Sequence, residues 1–215
     1  RRDVLGVNRS GAFDVVLVAL LSGLAGARLL HIVDYWDFYA GVPARTFYVW
    51  NGGMSLWGAV GGGLIGGLWQ AKRLGMDIWH TADVAALSGL VGIAIGRVGD
   101  FAAGERAATS STMPWAVVYS HPEAVAFADG TGVHPVALYE FVLAGSIAAA
   151  LRLWGRTVPR GWSMLLALGA WGFGRTLIAL VRLDPQHIGL QQAQWVGLAA
   201  VVFVAVAWWQ RWRSI

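Results

Sequence analysis

From Ile78 to Ile95 the chain runs almost without charge, then closes on Gly96-Arg97-Val98-Gly99-Asp100-Phe101-Ala102-Ala103-Gly104-Glu105. At ~1.5 Å per residue such a run, with its ends, spans the hydrocarbon of a bilayer. Arg97 then sits at or just below one interface. Burying an ionisable residue costs ~2.5 to 3.5 kcal/mol at the bilayer centre, so a residue at that depth faces a cavity or a partner. Composition agrees with a membrane chain: of 215 residues 57% are hydrophobic and 13% charged, too few charges for the surface of a soluble domain of this size. The 13 tryptophans suit interfacial belts, to which Trp36, Trp50, Trp115, Trp162 and Trp195 are assigned.

Six apolar segments follow from the pattern, at about 12–33, 53–71, 78–98, 134–154, 161–181 and 191–210. The second, from Gly52 through Gly61-Gly62-Gly63 to Gly67, is so rich in glycine that it reads as a short or re-entrant helix packed closely on a neighbour. Basic residues alternate between the connections. Arg1, Arg2 and Arg9, then Lys72 and Arg73, then Arg152, Arg156 and Arg160, then Arg211 and Arg213 fall on one side. The other loops carry Asp34, Asp37 and Arg45, then Asp100, Glu105, Arg106, Glu123 and Asp129, then Arg182 and Asp184. By the positive-inside rule both ends of the chain are cytoplasmic.

That topology gathers the polar residues at the outer leaflet. Trp57, Arg97, Asp100, Glu105 and His134 belong to outer helix ends or loops, and Arg175, seven residues before Arg182, lies in the outer half of the fifth segment. Guanidinium groups make permanently charged, bidentate contacts with phosphate, so the expected ligand is an outer-leaflet phospholipid. Arg28 reads equally as a phosphate ligand or as a partner of Glu140. With no cysteine there is no disulfide, thiolate metal site or thiol nucleophile. No metal, cofactor or nucleic-acid partner is expected. The start shows no signal-peptide pattern and no methionine, so a segment upstream of Arg1 is expected to be missing. The expected architecture is an all-α integral membrane protein, one helical domain over 1–215.

Five blocks now resemble one family in order and spacing: Asn51-Gly52-Gly53-Met54-Ser55; Gly96-Arg97-Val98-Gly99-Asp100-Phe101 with Gly104-Glu105; His134-Pro135-Val136-Ala137-Leu138-Tyr139-Glu140; Gly174-Arg175 with Val181-Arg182-Leu183-Asp184-Pro185; and Gln194-Trp195. The chain resembles prolipoprotein diacylglyceryl transferase from about Leu24 onward. The resemblance implies a bacterial inner-membrane enzyme of seven spans, the first lying before Arg1. It implies transfer of the diacylglyceryl group of phosphatidylglycerol to the lipobox cysteine thiol of a preprolipoprotein, releasing glycerol phosphate. Arg97 and Arg175 would hold the phosphodiester and Glu105 would orient or neutralise near Arg97, while Asp100 occupies an asparagine position. Arg28, His134, Arg182 and Trp57 complete the implied substrate site.

The chain departs from the family pattern at four places. Trp57 stands where a histidine is a candidate base, Asp100 replaces the asparagine, Ala108 replaces a glycine, and Ala179 replaces a glutamate one turn after Arg175. Tryptophan accepts no proton, so the base falls to Asp100, Glu105 or His134. Two readings stay open: the transferase with an altered base, and a degenerate relative that binds phospholipid or lipoprotein precursor without transfer. Simpler roles also fit single residues. Arg97 and Asp100, three apart, form an ion pair at a helix end, Glu105 is a solvated loop residue, and His134 before Pro135 starts a helix.

Overall fold

The structure, a computed structural model, describes residues 9–48, 53–105, 108–121, 124–125, 130–155, 157–183, 186–187 and 189–212. The side chains of Arg9, Leu56, Trp57 and Arg211 lie outside this description, as do Arg1, Arg2, Trp50, Arg106, Glu123, Asp129, Arg156, Asp184 and Arg213. Of the described residues 74% are helical. It forms two compact units, Arg1–Thr81 and Ala82–Ile215, each taken by itself below.

In the first unit α1 (Arg9–Asp34) and α3 (Leu56–Arg73) form an antiparallel hairpin, linked by the short α2 (Trp36–Ala40) and a 3-10 turn at Pro43–Phe47. The glycine run in α3 has a steric purpose. A Cβ on Gly58 would come within 2.2 Å of the Gly26 carbonyl oxygen, and one on Gly62 within 2.2 Å of the Ser22 carbonyl oxygen. Only backbones without side chains approach so closely, so the expected intimate packing of this segment is present. Gly58→Leu is therefore expected to destabilise the hairpin by the upper part of ~1–3 kcal/mol. A lower unfolding temperature in detergent would report it, and Gly61→Ala, whose added Cβ meets nothing within 4 Å, should leave that temperature unchanged.

The second unit holds most of α4 (Ile78–Ala103), with α5 (Val136–Trp154), α6 (Trp162–Ile178) and α7 (Gln192–Trp212). Its core joins Leu90 and Ala94 of α4, Ala144, Ala148 and Leu151 of α5, and Ala167 of α6. Small residues also seat α7 on α6, where a Cβ on Gly197 would meet the Gly172 carbonyl oxygen at 2.5 Å. Buried Asp83 accepts from the backbone amides of Gly161 (2.7 Å) and Met164 (2.8 Å). A carboxylate so placed satisfies orphan N–H groups at the start of α6 and favours its dipole. The tie also brings the starts of α4 and α6 together.

Large apolar side chains turn outward, as with Ile65 at 74% and Leu180 at 69% exposure. Around a soluble protein such a surface would aggregate, whereas lipid solvates it. Among the described residues, four helical stretches are long and apolar enough to cross a membrane: Gly11–Asp34, Ile78–Ala103, Val136–Trp154 and Trp162–Val181. Helices also occupy the other two expected positions. Glycine and the polar end Gln70, Lys72 and Arg73 make α3 less apolar, and the apolar part of α7 is the shorter Gly197–Gln210. The fold is consistent with the expected all-α class; its one small addition among the described residues is a hairpin of two-residue strands, β1 (Gln186–His187) with β2 (Leu190–Gln191), before α7. Backbone at the polar end of a span must find partners once the helix stops, and a short ladder supplies them.

Candidate functional site

The end of α4 explains part of the Gly96-to-Glu105 block. Gly104 adopts a left-handed φ of 65°, its amide bonds the Phe101 carbonyl (3.4 Å), and the Glu105 amide bonds the Asp100 carbonyl (3.1 Å). This is the pattern of a Schellman stop, which favours glycine at that position. Space demands it too, since a Cβ there would lie 2.8 Å from both Ala124 Cβ and Tyr119 Cδ1. The stop leaves Arg97 and Asp100 on the last turns of α4.

Arg97 lies as far beyond Asp83 along α4 as Arg175 lies beyond Gly161 along α6, about 21 Å at ~1.5 Å per residue. The Asp83 tie at one end therefore brings the two arginines level at the other. Between them stands Glu140, one turn into α5 and fully buried. Its Oε2 lies 2.7 Å from Arg97 Nε, and its Oε1 is bonded by Arg175 Nη1 and, at 3.0 Å, by Arg182 Nη1. Arg97 Nη1 also pairs with Asp100, and the Arg175 guanidinium rests 5.8 Å from the Trp171 ring centre.

The loop between α4 and α5 holds Arg182 in place. Ala108 bridges Arg182, the Thr109 amide bonds the Val181 carbonyl (3.0 Å), and the His134 amide bonds the Thr109 carbonyl (3.1 Å). Gln191 Nε2 donates to the Arg182 carbonyl at 2.8 Å. Ala108, Val133 and Val136 form a small buried cluster beneath this ladder. In the same loop, burial pushes the Tyr119 phenol above its usual value near 10, so it stays neutral.

Chemically, three guanidiniums face two carboxylates and one positive charge is left over. A single buried arginine would be prohibitive, but a shared carboxylate offsets the desolvation of all three and fixes their geometry. Arg97 and Arg175 keep about a fifth of their side-chain surface exposed, with Arg182 buried behind them. Such a half-open, net-positive cluster suits an oxyanion such as a phosphodiester.

Among the sequence-predicted residues, Arg97, Asp100, Arg175 and Arg182 come together here. Glu105 does not join them: it is exposed and makes no ion pair among the described residues, so the neutralising charges at Arg97 are Asp100 and Glu140. His134 sits at the start of α5, with Nδ1 3.1 Å from Tyr139 Oη. Arg28 belongs to the first unit, where it donates to the carbonyls of Thr46 (3.0 Å), Gly53 (3.0 Å), Arg45 (2.6 Å) and Tyr48 (3.3 Å). Those bonds shape a cleft of about 470 Å³ lined by Arg28, His31, Tyr39, Arg45 and Tyr48. The carboxylate between the arginines, Glu140, was expected only as a partner of Arg28. Its signal was a lone carboxylate within an apolar span. Trp115, expected in an interfacial belt, donates its indole N–H to Tyr139 Oη at 2.8 Å.

The family profile described as "Prolipoprotein diacylglyceryl transferase" matches residues 2–210. The chain belongs to this family. Relatives include the phosphatidylglycerol–prolipoprotein diacylglyceryl transferase of Halalkalibacterium halodurans, 32% identical over 96% of this chain and 73% of that protein. The same name is carried by a protein of Methylobacillus flagellatus, 31% identical over 92% of this chain and 76% of its own length. In Gloeobacter violaceus the identity is 34%, over 94% and 77%. Within the family, this chain places its arginines around Glu140 and carries a second carboxylate, Asp100, on Arg97.

Proposed function

We propose that this prolipoprotein diacylglyceryl transferase family member moves the diacylglyceryl group of phosphatidylglycerol onto the lipobox cysteine thiol of a preprolipoprotein. A carbon–sulfur bond forms at the terminal glyceryl carbon while its carbon–oxygen bond to phosphate breaks. The electron pair leaves on the phosphate oxygen as glycerol phosphate, and the thiol proton passes to a base. What carries this reading is the net-positive trio of Arg97, Arg175 and Arg182 on buried Glu140. Preorganised donors aimed at the oxygen that gains charge are worth more than donors that must first reorganise. Asp100 and Glu105 are the carboxylates available at this end of the unit to take the thiol proton. The names of the relatives supply both substrates.

The protein acts as a single helical domain in the bacterial inner membrane, with the arginine cluster facing the outer leaflet and both ends of this chain cytoplasmic. Charge alternation along the sequence supports that orientation. Labels at Lys72, Arg160 and Arg211 are expected to react from the cytoplasmic side, and labels at Glu105, Glu123 and Asp184 from outside. A cytoplasmic Glu105 would overturn both orientation and site. Native mass spectrometry supplies a second test: bound phosphatidylglycerol should survive at collision energies that strip phosphatidylcholine. Equal retention of the two lipids would remove the anionic-headgroup reading.

A further inference from the structure

A hydrogen-bond chain beside the arginine cluster defines which nitrogen of His134 carries its proton. Trp115 Nε1, a donor with no acceptor capacity, gives its hydrogen to Tyr139 Oη at 2.8 Å. The Tyr139 hydroxyl then has its own hydrogen to place. Among the described residues its remaining polar partner is His134 Nδ1, at 3.1 Å. An O–H left without an acceptor loses a hydrogen bond, so Tyr139 donates and Nδ1 accepts. A neutral imidazole accepting at Nδ1 holds its proton on Nε2. Nε2 makes no hydrogen bond among the described residues, and His134 is only partly buried, so that N–H is open to a ligand.

We propose that His134 is a neutral hydrogen-bond donor, through Nε2, to the phosphodiester of the lipid, and is not the base that takes the thiol proton. Tyr139 and Trp115 are positioning residues that hold it in this form. The placement agrees: the His134 amide bonds Thr109, whose own amide bonds Val181, next to Arg182, and Glu140 follows Tyr139 directly. The identity of the oxyanion rests on the transferase reading, whereas the tautomer does not.

Two measurements test it, on the whole chain in phosphatidylglycerol nanodiscs. In protein labelled with nitrogen-15 histidine, the His134 signals are those lost in His134→Gln. Long-range proton–nitrogen correlation should show Nδ1 unprotonated and Nε2 protonated in the parent, and a mixture of tautomers in Tyr139→Phe. A protonated Nδ1 in the parent, or an unchanged pattern in Tyr139→Phe, would overturn the assignment even if no turnover were found. The second measurement is transfer to a lipobox peptide. His134→Gln keeps an N–H near the Nε2 position, so kcat should stay within about tenfold of the parent, with His134→Ala showing the larger rise in KM. A loss of ~10² to 10⁴ in kcat for Gln and Ala alike would make His134 the base instead. Absence of turnover in the parent would count against the transferase reading and leave the nitrogen-15 result to decide the tautomer.

Discussion

Glu140→Leu is expected to prevent accumulation of folded protein. The substitution leaves Arg97, Arg175 and Arg182 facing one another without the carboxylate that all three contact. Removing one partner of a buried ion pair costs ~3 to 5 kcal/mol because the remaining charge is uncompensated, and here three charges remain. Stability of a whole domain is ~5 to 15 kcal/mol, so the loss takes a large share of it. Glu140→Gln should be milder, since an amide oxygen still accepts from the guanidiniums although the charge is gone. Recovery from membranes and thermal unfolding in detergent would measure both. A Leu variant as stable as the parent would mean that Glu140 does not hold the cluster together.

The second large effect is on chemistry. Arg97→Ala and Arg175→Ala are each expected to lower transfer by ~10² to 10³, the usual loss when one preorganised donor to a developing oxyanion is removed. Arg97→Lys should recover only part, because an ammonium cannot contact Asp100 and Glu140 with two nitrogens as Arg97 does. Phosphatidylglycerol binding should weaken in both alanine variants. Unchanged affinity together with unchanged turnover would make these arginines purely structural.

Much of this arrangement was legible in the residues before any geometry. The apolar runs placed the helices, because burying an uncharged segment in lipid is a strong and nearly local demand. The glycines of α3 announced close packing, and the structure supplies their partners, Ser22 and Gly26 of α1. Arg97, Arg175 and Arg182 stood out because charge near hydrocarbon is costly. What escaped were relations between distant elements. Glu140 is separated from Arg97 and Arg175 by tens of residues, and only the level set by Asp83 on the start of α6 shows why they meet. Glu105 is expected near Arg97, but the stop at Gly104 turns the chain there, and its observed tie to α4 is through its backbone amide. The bond from Trp115 to Tyr139 also escaped, because an indole in a loop carries no sequence sign of the hydroxyl it will bond.

The most direct measurement is turnover by the parent chain with phosphatidylglycerol and a cysteine-containing lipobox peptide. Mass spectrometry would follow the diacylglyceryl thioether, and a coupled assay the released glycerol phosphate. The arginine cluster predicts the two products in equal amounts, with no product when phosphatidylcholine is the only lipid. Retained binding of phosphatidylglycerol with neither product formed would contradict the transferase account and leave a lipid-binding relative that has lost the chemistry.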